Sequence, residues 1–411
     1  MASANTRVDV AVIGAGQAGL SLSAALREHG VEHLVLEKGR IAESWQSQRW
    51  DSFCLMTPNW SVQLAGLPYA GTDPDGFLPR DDLVAYLNDY AARCGDIWTG
   101  VEVTHAAPRD NGWALDTAAG ERLRARHLVM ATGTYQVPKT PAMAVSAPDV
   151  FSLHSAHYRN PSDLPSSDVL VVGSGQSGAQ IAAELNKAGR RVTLATSRIG
   201  DIPRQYRGRD IITWQRELGW LDRHWRALDD PGHRFNHDPI LSGRAGQEHL
   251  SLRNLAARGI QLAGRLNSLD AGRASFDRSL ADNMRFGDAF RQRTLQAIDQ
   301  LIQDQSLSAP TATESTLPHH AVNGPRHVRL GGEHIQSIVW ATGYERALDW
   351  LDAPVFGAGG HPEQTGWETA APNLHFLGFN YVEHRRSGIL YGAGREAESL
   401  ASHIASGLGA H

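Results

Sequence analysis

Val8-Asp9-Val10-Ala11-Val12-Ile13 runs without a break into Gly14-Ala15-Gly16-Gln17-Ala18-Gly19. The β-branched run reads as a buried strand. The glycines have G-x-G-x-x-G spacing, and a helical pattern follows, with Leu22, Ala25 and Leu26 on one side, ending near Gly30. His33-Leu34-Val35-Leu36 predicts a second strand ending at Glu37, 23 residues after Gly14. That is close to the roughly 20-residue spacing of a dinucleotide-binding unit. Each residue type has a physical job. The first glycine permits the tight turn, the second lets the backbone approach a pyrophosphate, and the third lets helix and strand pack closely. The helix N-terminus offers free N–H groups and a positive dipole end to the phosphates. Glu37 is placed to accept hydrogen bonds from a ribose.

The same arrangement returns 159 residues later, counted from Gly14 to Gly173. Asp168-Val169-Leu170-Val171-Val172 leads into Gly173-Ser174-Gly175-Gln176-Ser177-Gly178, a helix is predicted over 179–188, and Arg191 to Ala195 reads as the next strand. A repeat this long is one domain length, not a solenoid period. The two strand ends differ. Glu37 disfavours a 2′-phosphate, whereas the second site offers Ser197 and Arg198, which suit one. Arg204, Arg207 and Arg209 follow and are in reach of the same region by sequence.

The chain of 411 residues has room for two to four domains. Its 41% hydrophobic and 20% charged content is that of an ordinary globular protein. The charge balance, 39 − 44 = −5, gives no basic excess for nucleic acid or anionic lipid. Only three of the 39 basic residues are lysines, Lys38, Lys139 and Lys187, so positive charge is carried almost wholly by arginine. Two cysteines, Cys54 and Cys94, exclude a disulfide scaffold and a Cys-rich metal cluster. Val10 to Ile13 is too short to span a membrane, and Arg7 alone is no basic n-region, so a cytoplasmic protein is expected.

Each half is expected to close with a hairpin and a small-residue end. Residues 113–117 and 122–129 precede Met130-Ala131-Thr132-Gly133; residues 327–330 and 334–339 precede Trp340-Ala341-Thr342-Gly343. Such ends let the backbone pass close to a bound dinucleotide. Prolines from Pro138 to Pro165 mark a domain crossing. The expected division is a first part over 1–160, a second domain over 161–343 with a helical and aromatic insert at about 203–310, and a return to the first domain over 344–411. A helix is expected over 284–302 and a surface loop over 306–320. A last glycine turn, Ser387-Gly388-Ile389-Leu390-Tyr391-Gly392-Ala393-Gly394, precedes a helix predicted over 395–404.

Together these features resemble the two-dinucleotide-binding-domain flavoproteins. More narrowly they resemble the class B flavin-dependent monooxygenases, the flavin-containing and Baeyer–Villiger group in its bacterial short-chain form. Supporting stretches are Gly39 to Trp50, Leu55-Met56-Thr57-Pro58-Asn59-Trp60 and His154 to Pro161. The family's linker fingerprint is met in its second half by His154 and Tyr158, while Pro148 and Val150 stand where it has Phe and Gly. Thioredoxin- and glutathione-reductase relatives need a close cysteine pair; Cys54 and Cys94 are 40 apart, so each reads as packing.

The resemblance implies an α/β fold of two Rossmann-like domains for FAD and NADPH, the FAD domain being discontinuous. It implies that NADPH reduces FAD, that reduced flavin and O2 form a C4a-(hydro)peroxyflavin, and that a small organic substrate is oxygenated at N, S or a ketone. It carries cofactor contacts onto Gly14, Gly16, Gln17, Ala18, Gly19, Glu37, Lys38, Trp45, Trp50, Val103, Ala131, Thr132 and Gly133 on the flavin side. On the NADPH side it carries them onto Gly173, Gly175, Gln176, Ser177, Gly178, Ser197, Arg198, Ala341, Thr342 and Gly343, and near the flavin again onto Gly378, Ile389 and Leu390. Asn59 takes the catalytic position, a carboxamide that donates and accepts without charge; it reads equally as a turn residue. Trp60 joins Trp45 and Trp50 as candidate walls of the flavin ring. His154 is either a satisfied structural histidine or a coupler of the two domains. His233, His237, His319 and His320 lack a supporting ligand constellation, so no metal is expected. There is no G-x-S-x-G elbow for serine hydrolysis. An NADPH oxidase or reductase without oxygen transfer, and a non-enzymatic flavin sensor or transport accessory, remain open. A homodimer is the default assembly.

Overall fold

Both glycine motifs sit at the carboxyl ends of parallel sheets in the computed structural model, which describes residues 6–230, 232, 238–243, 249–270, 272–312, 323–357 and 362–409. The first half holds β1 (Thr6–Ile13), α1 (Gln17–Glu28), β2 (His33–Glu37) and β3 (Asp96–Thr99). A meander follows, of β4 (Val103–Arg109), β5 (Gly112–Thr117) and β6 (Arg122–Met130). The second half holds β7 (Phe151–His154), β8 (Asp168–Val172), α2 (Gln176–Lys187), β9 (Val192–Ala195), α3 (Ile211–Glu217), β10 (Gln261–Ala263), α4 (Leu280–Asp304) and β11 (Ile335–Trp340). The chain ends with β12 (Leu374–Phe376) and α5 (Leu390–Leu408).

The first parallel sheet is ordered β12–β6–β1–β2–β3. The second is ordered β7–β11–β8–β9–β10. The two orders match strand for strand, with β1 answering to β8 and β6 to β11. Parallel strands covered on both faces must be apolar throughout, and all of β2 and residues 10–13 of β1 are buried. α5 places Leu400 and Ile404 in the core that holds Leu20, Leu22 and Leu26 of α1. With β12 paired to β6, this return makes the first domain discontinuous.

Three observations depart from the sequence reading. β7 belongs to the second sheet although it precedes residue 161. Within 203–310, Gln261–Ala263 is a strand of the parallel sheet, so the added material is narrower than that range. The second hairpin does not form: His327–Arg329 pairs with Arg273–Phe276, while β11 runs into the parallel sheet. Alternation in a short segment marks a strand but not its partner. No helix among the described residues is long and apolar enough to cross a membrane. His233, His237, His319 and His320 lie outside the described residues, and among the described ones no cluster of His, Cys, Asp and Glu could hold a metal ion.

Candidate active site

The two motifs are built alike, atom for atom. Gly14 and Gly173 have φ +110° and +104°, backbone that favours glycine, and a Cβ on either would strike the carbonyl of Ala131 or Ala341 at 2.7 or 2.4 Å. Gly19 and Gly178 leave no room for a Cβ, which would lie 1.9 and 1.8 Å from the carbonyls of Gly14 and Gly173. Gly16 and Gly175 cap α1 and α2, and a Cβ there would meet nothing within 4 Å. That open space lies over the N–H groups of a 12-residue helix, where a pyrophosphate is best held. Ala131 N–H donates to the Ile13 carbonyl at 2.9 Å and Ala341 N–H to that of Val172 at 2.8 Å, so each Ala-Thr-Gly end crosses its glycine turn.

On the first site, Glu37 accepts from Ala15 N–H and Gly39 N–H, both at 2.8 Å, which orients its carboxylate. Lys38 is exposed beside it. Gln17 accepts from the Trp45 indole N–H at 3.0 Å, and Thr132 and Gly133 are tied to Gln136. Gly378 packs on Ala18, since a Cβ there would lie 2.4 Å from the alanine Cβ. The C-terminal return therefore closes over the first turn of α1, and Ile389 and Leu390 open α5 beside it. Trp50 is buried, and its indole N–H has no partner among the described residues.

On the second site, a cavity of about 1080 Å³ opens from Gly173, Gly175 and Ser177. Ser197 and Arg198 line one end, with Ser197 N–H bonded to the Ser174 hydroxyl at 2.9 Å. Ala341, Thr342 and Gly343 form its side, and Trp50, Phe53, Met56 and Ile389 line the other end. The second glycine motif and this apolar wall thus share one space. Neither cysteine lines it. Cys94 is buried, and desolvation pushes its thiol up to about 11.

Several candidate residues have partners of their own within the protein. Asn59 does not line the cavity: its amide donates to the Asp73 carbonyl at 2.9 Å and its oxygen accepts from Leu78 N–H at 2.7 Å, so it fastens a loop. Val103 pairs with Thr117 and packs in the core, while Val101 N–H meets the Glu37 carbonyl at 3.0 Å. The Gln176 side chain is engaged with both backbone groups of Leu241 and holds that segment at the cavity wall. Trp45 secures Gln17, and Trp60 stacks edge-on to Tyr391 at 5.6 Å, outside the cavity lining. Arg204, Arg207 and Arg209 do not line the cavity. Arg204 pairs with Asp210 at 2.6 Å, Arg207 with Asp299 at 2.8 Å, and Arg209 lies over Trp214 at 4.8 Å. His154 is fully satisfied. Its Nε2 bonds the Gly343 carbonyl at 2.9 Å and its Nδ1 accepts from Ala156 N–H, which requires the neutral Nε2–H tautomer. Burial lowers its pKa in keeping with that form.

Two lining residues escaped the sequence reading. Arg265, just beyond β10, joins Arg198 at the Ser197 end. Gln215 of α3 joins the apolar end. Neither belongs to a spaced motif, and both reach the cavity only through the order of the second sheet and the docking of α3.

Behind the α5 N-terminus lies Glu396, 3% exposed, whose Oε1 accepts from the Ser387 hydroxyl at 2.6 Å while Oε2 has no partner among the described residues. Desolvation outweighs the Ser387 bond and nearby Arg386 and raises its pKa to about 7. The carboxyl is raised in the folded state, so folding favours its protonated form. Stability should therefore fall as pH rises from about 4.5 to about 7. Glu396→Gln should flatten that slope in urea titrations across this window; an unchanged slope would show that Glu396 does not titrate there.

Comparison with known proteins agrees with this geometry. Residues 11–207 match the model of the pyridine nucleotide-disulphide oxidoreductase family. A CzcO-like oxidoreductase of Geobacillus kaustophilus is 30% identical over 403 residues, covering 97% of this chain and 98% of its own. The indole-3-pyruvate monooxygenase YUCCA1 of Oryza sativa is 31% identical over 205 residues, covering 48% of this chain and 50% of its own. A flavin-containing monooxygenase from Stenotrophomonas maltophilia has the same fold, with TM-score 0.66 and 20% identity over 98% of this chain and 99% of its own. The chain therefore belongs to the CzcO-like oxidoreductases and shares the fold of a flavin-containing monooxygenase.

Proposed function

We propose that the chain is an NADPH-dependent FAD monooxygenase that oxygenates a small organic substrate. FAD belongs to the unit built on the first parallel sheet, and NADPH to the unit built on the second. The observation that carries this reading is the single cavity joining the second glycine motif to the apolar wall at Trp50, Phe53 and Ile389. A nicotinamide bound through Gly175 and Ser177 would lie in the same space as the flavin, where hydride transfer needs it.

Bound FAD would take a hydride from NADPH and hand electrons to oxygen. The protein's own residues set the conditions. Gly16 and Gly175 admit the pyrophosphates to helix N-termini, and Glu37 holds a ribose. Trp50 forms part of the apolar wall of the cavity. Phe53, Met56 and Ile389 exclude water from the reacting end. His154 ties β7 to the Gly343 end and so keeps the wall between the sites in place. With Cys94 inert and no cysteine on the cavity, a dithiol has no part in the electron path.

NADPH oxidation under isotopically labelled dioxygen, with a panel of amines, sulfides and ketones, tests the proposal. A labelled product is expected. Stoichiometric hydrogen peroxide and no labelled product would favour the oxidase reading.

Arg198 and Arg265, at the end where β9 and β10 stop, fit a 2′-phosphate. Arg198→Ala should raise the KM for NADPH about tenfold or more while leaving that for NADH within about twofold. Equal changes for both would place 2′-phosphate recognition elsewhere.

A further inference from the structure

α3 presents a group that neither nucleotide site uses. Gln215 is 3% exposed and lines the cavity, and among the described residues its carboxamide has no hydrogen-bond partner. Neither amide atom is sealed off, so the carboxamide opens onto the cavity, where a ligand group can satisfy it. Met56, Ile212, Leu221, Leu241 and Ile389, which also line the cavity, pack in one apolar cluster with the adjacent Trp214. Among the charged residues that line the cavity, Asp238 and Arg385 pair at 2.7 Å.

The placement of Gln215 is firm. The Asp210 carboxylate caps α3 by accepting from Ile212 N–H at 2.8 Å. Trp214, fully buried, donates its indole N–H to the Tyr206 carbonyl at 2.7 Å. Fixed in this way, the Gln215 amide is a preorganised recognition group.

We propose that Gln215 is the specificity-determining residue for the substrate, and that the substrate is a largely apolar, uncharged molecule whose carbonyl or carboxamide meets the Gln215 side chain. A carboxamide donates and accepts without charge, so it matches a neutral polar group. The carboxylates that line the cavity, Asp238 and Asp277, are already engaged, Asp238 by Arg385 at 2.7 Å and Asp277 by the Arg265 and Ser279 N–H groups at 2.9 Å, and a carboxylate would find at Gln215 itself only a neutral donor. The proposal rests on the cavity being the substrate site, as in the monooxygenase reading, but not on turnover.

The test is calorimetric binding to the FAD-loaded protein with NADP+ present, using four probes of one scaffold: hydrocinnamamide, hydrocinnamate, phenylpropylamine and propylbenzene. Hydrocinnamamide is expected to bind about tenfold tighter than the others. The near-isosteric Gln215→Met should reduce that advantage to less than about twofold and leave propylbenzene binding unchanged. Gln215→Glu should turn the preference toward phenylpropylamine. The proposal is overturned if hydrocinnamate or phenylpropylamine binds the unaltered protein tightest, if no probe binds, or if Gln215→Met weakens all four equally. Failure of the monooxygenase reading would be seen separately, as NADPH oxidation without oxygen transfer while the amide preference persists.

Discussion

Gly16→Val is expected to give a folded protein that purifies without flavin. Gly16 has extended backbone, φ −86° and ψ −172°, which valine adopts readily, and a Cβ there meets no protein atom within 4 Å. The space it fills is the one a pyrophosphate needs over the α1 N-terminus. Its melting temperature should match that of flavin-stripped unaltered protein, because bound cofactor itself adds stability by mass action. Gly19→Ala gives the contrast. Its Cβ would lie 1.9 Å from the Gly14 carbonyl, so helix and turn must separate and the fold itself is damaged. A yellow, fully loaded Gly16→Val protein would remove the first motif from the flavin site.

Arg204→Met is expected to cost about 3–5 kcal/mol, the cost of leaving a buried ion without its partner. Arg204 is 1% exposed, and its guanidinium binds both oxygens of Asp210, at 2.6 and 2.7 Å. It also donates to the Met56 carbonyl at 2.7 Å and lies over the Phe77 ring at 4.6 Å. One side chain thus joins the α3 cap to the 55–78 loop of the other domain. Asp210, left alone, is a nearly buried carboxylate without a counter-ion. The double variant Arg204→Met, Asp210→Asn should recover much of the loss, because no buried charge remains. Urea midpoints of the three proteins measure this. A single-variant loss below about 1 kcal/mol would mean the pair is not a keystone.

The parts of the molecule legible in the sequence were local in chain distance. Each βαβ unit is contained in about thirty residues, and the strand, glycine turn and helix of Val8 to Gly30 specify one another through backbone sterics. The Ala-Thr-Gly ends could be recognised because they occur twice. What was not legible depended on distant partners. Asn59 has the composition of a flavin-side amide, but the 73–78 loop takes up both its groups. Arg204 stood near the 2′-phosphate end by sequence, yet Met56, 148 positions away, draws it into the core. His327–Arg329 alternates like a hairpin arm of β11 but finds its partner at Arg273–Phe276. Gln215 carries no motif at all; only the fold of α3 against the flavin side gives it a place in the cavity.

The central claim is that NADPH and FAD meet in one water-poor cavity and that the electrons then go to oxygen transfer. Stopped-flow absorbance tests it most directly. The flavin-loaded protein is reduced anaerobically with NADPH and then mixed with oxygen without substrate. The account predicts a spectrum distinct from both oxidised and reduced flavin that persists before oxidised flavin returns. Recovery of oxidised flavin in a single direct phase, with stoichiometric hydrogen peroxide, would contradict it.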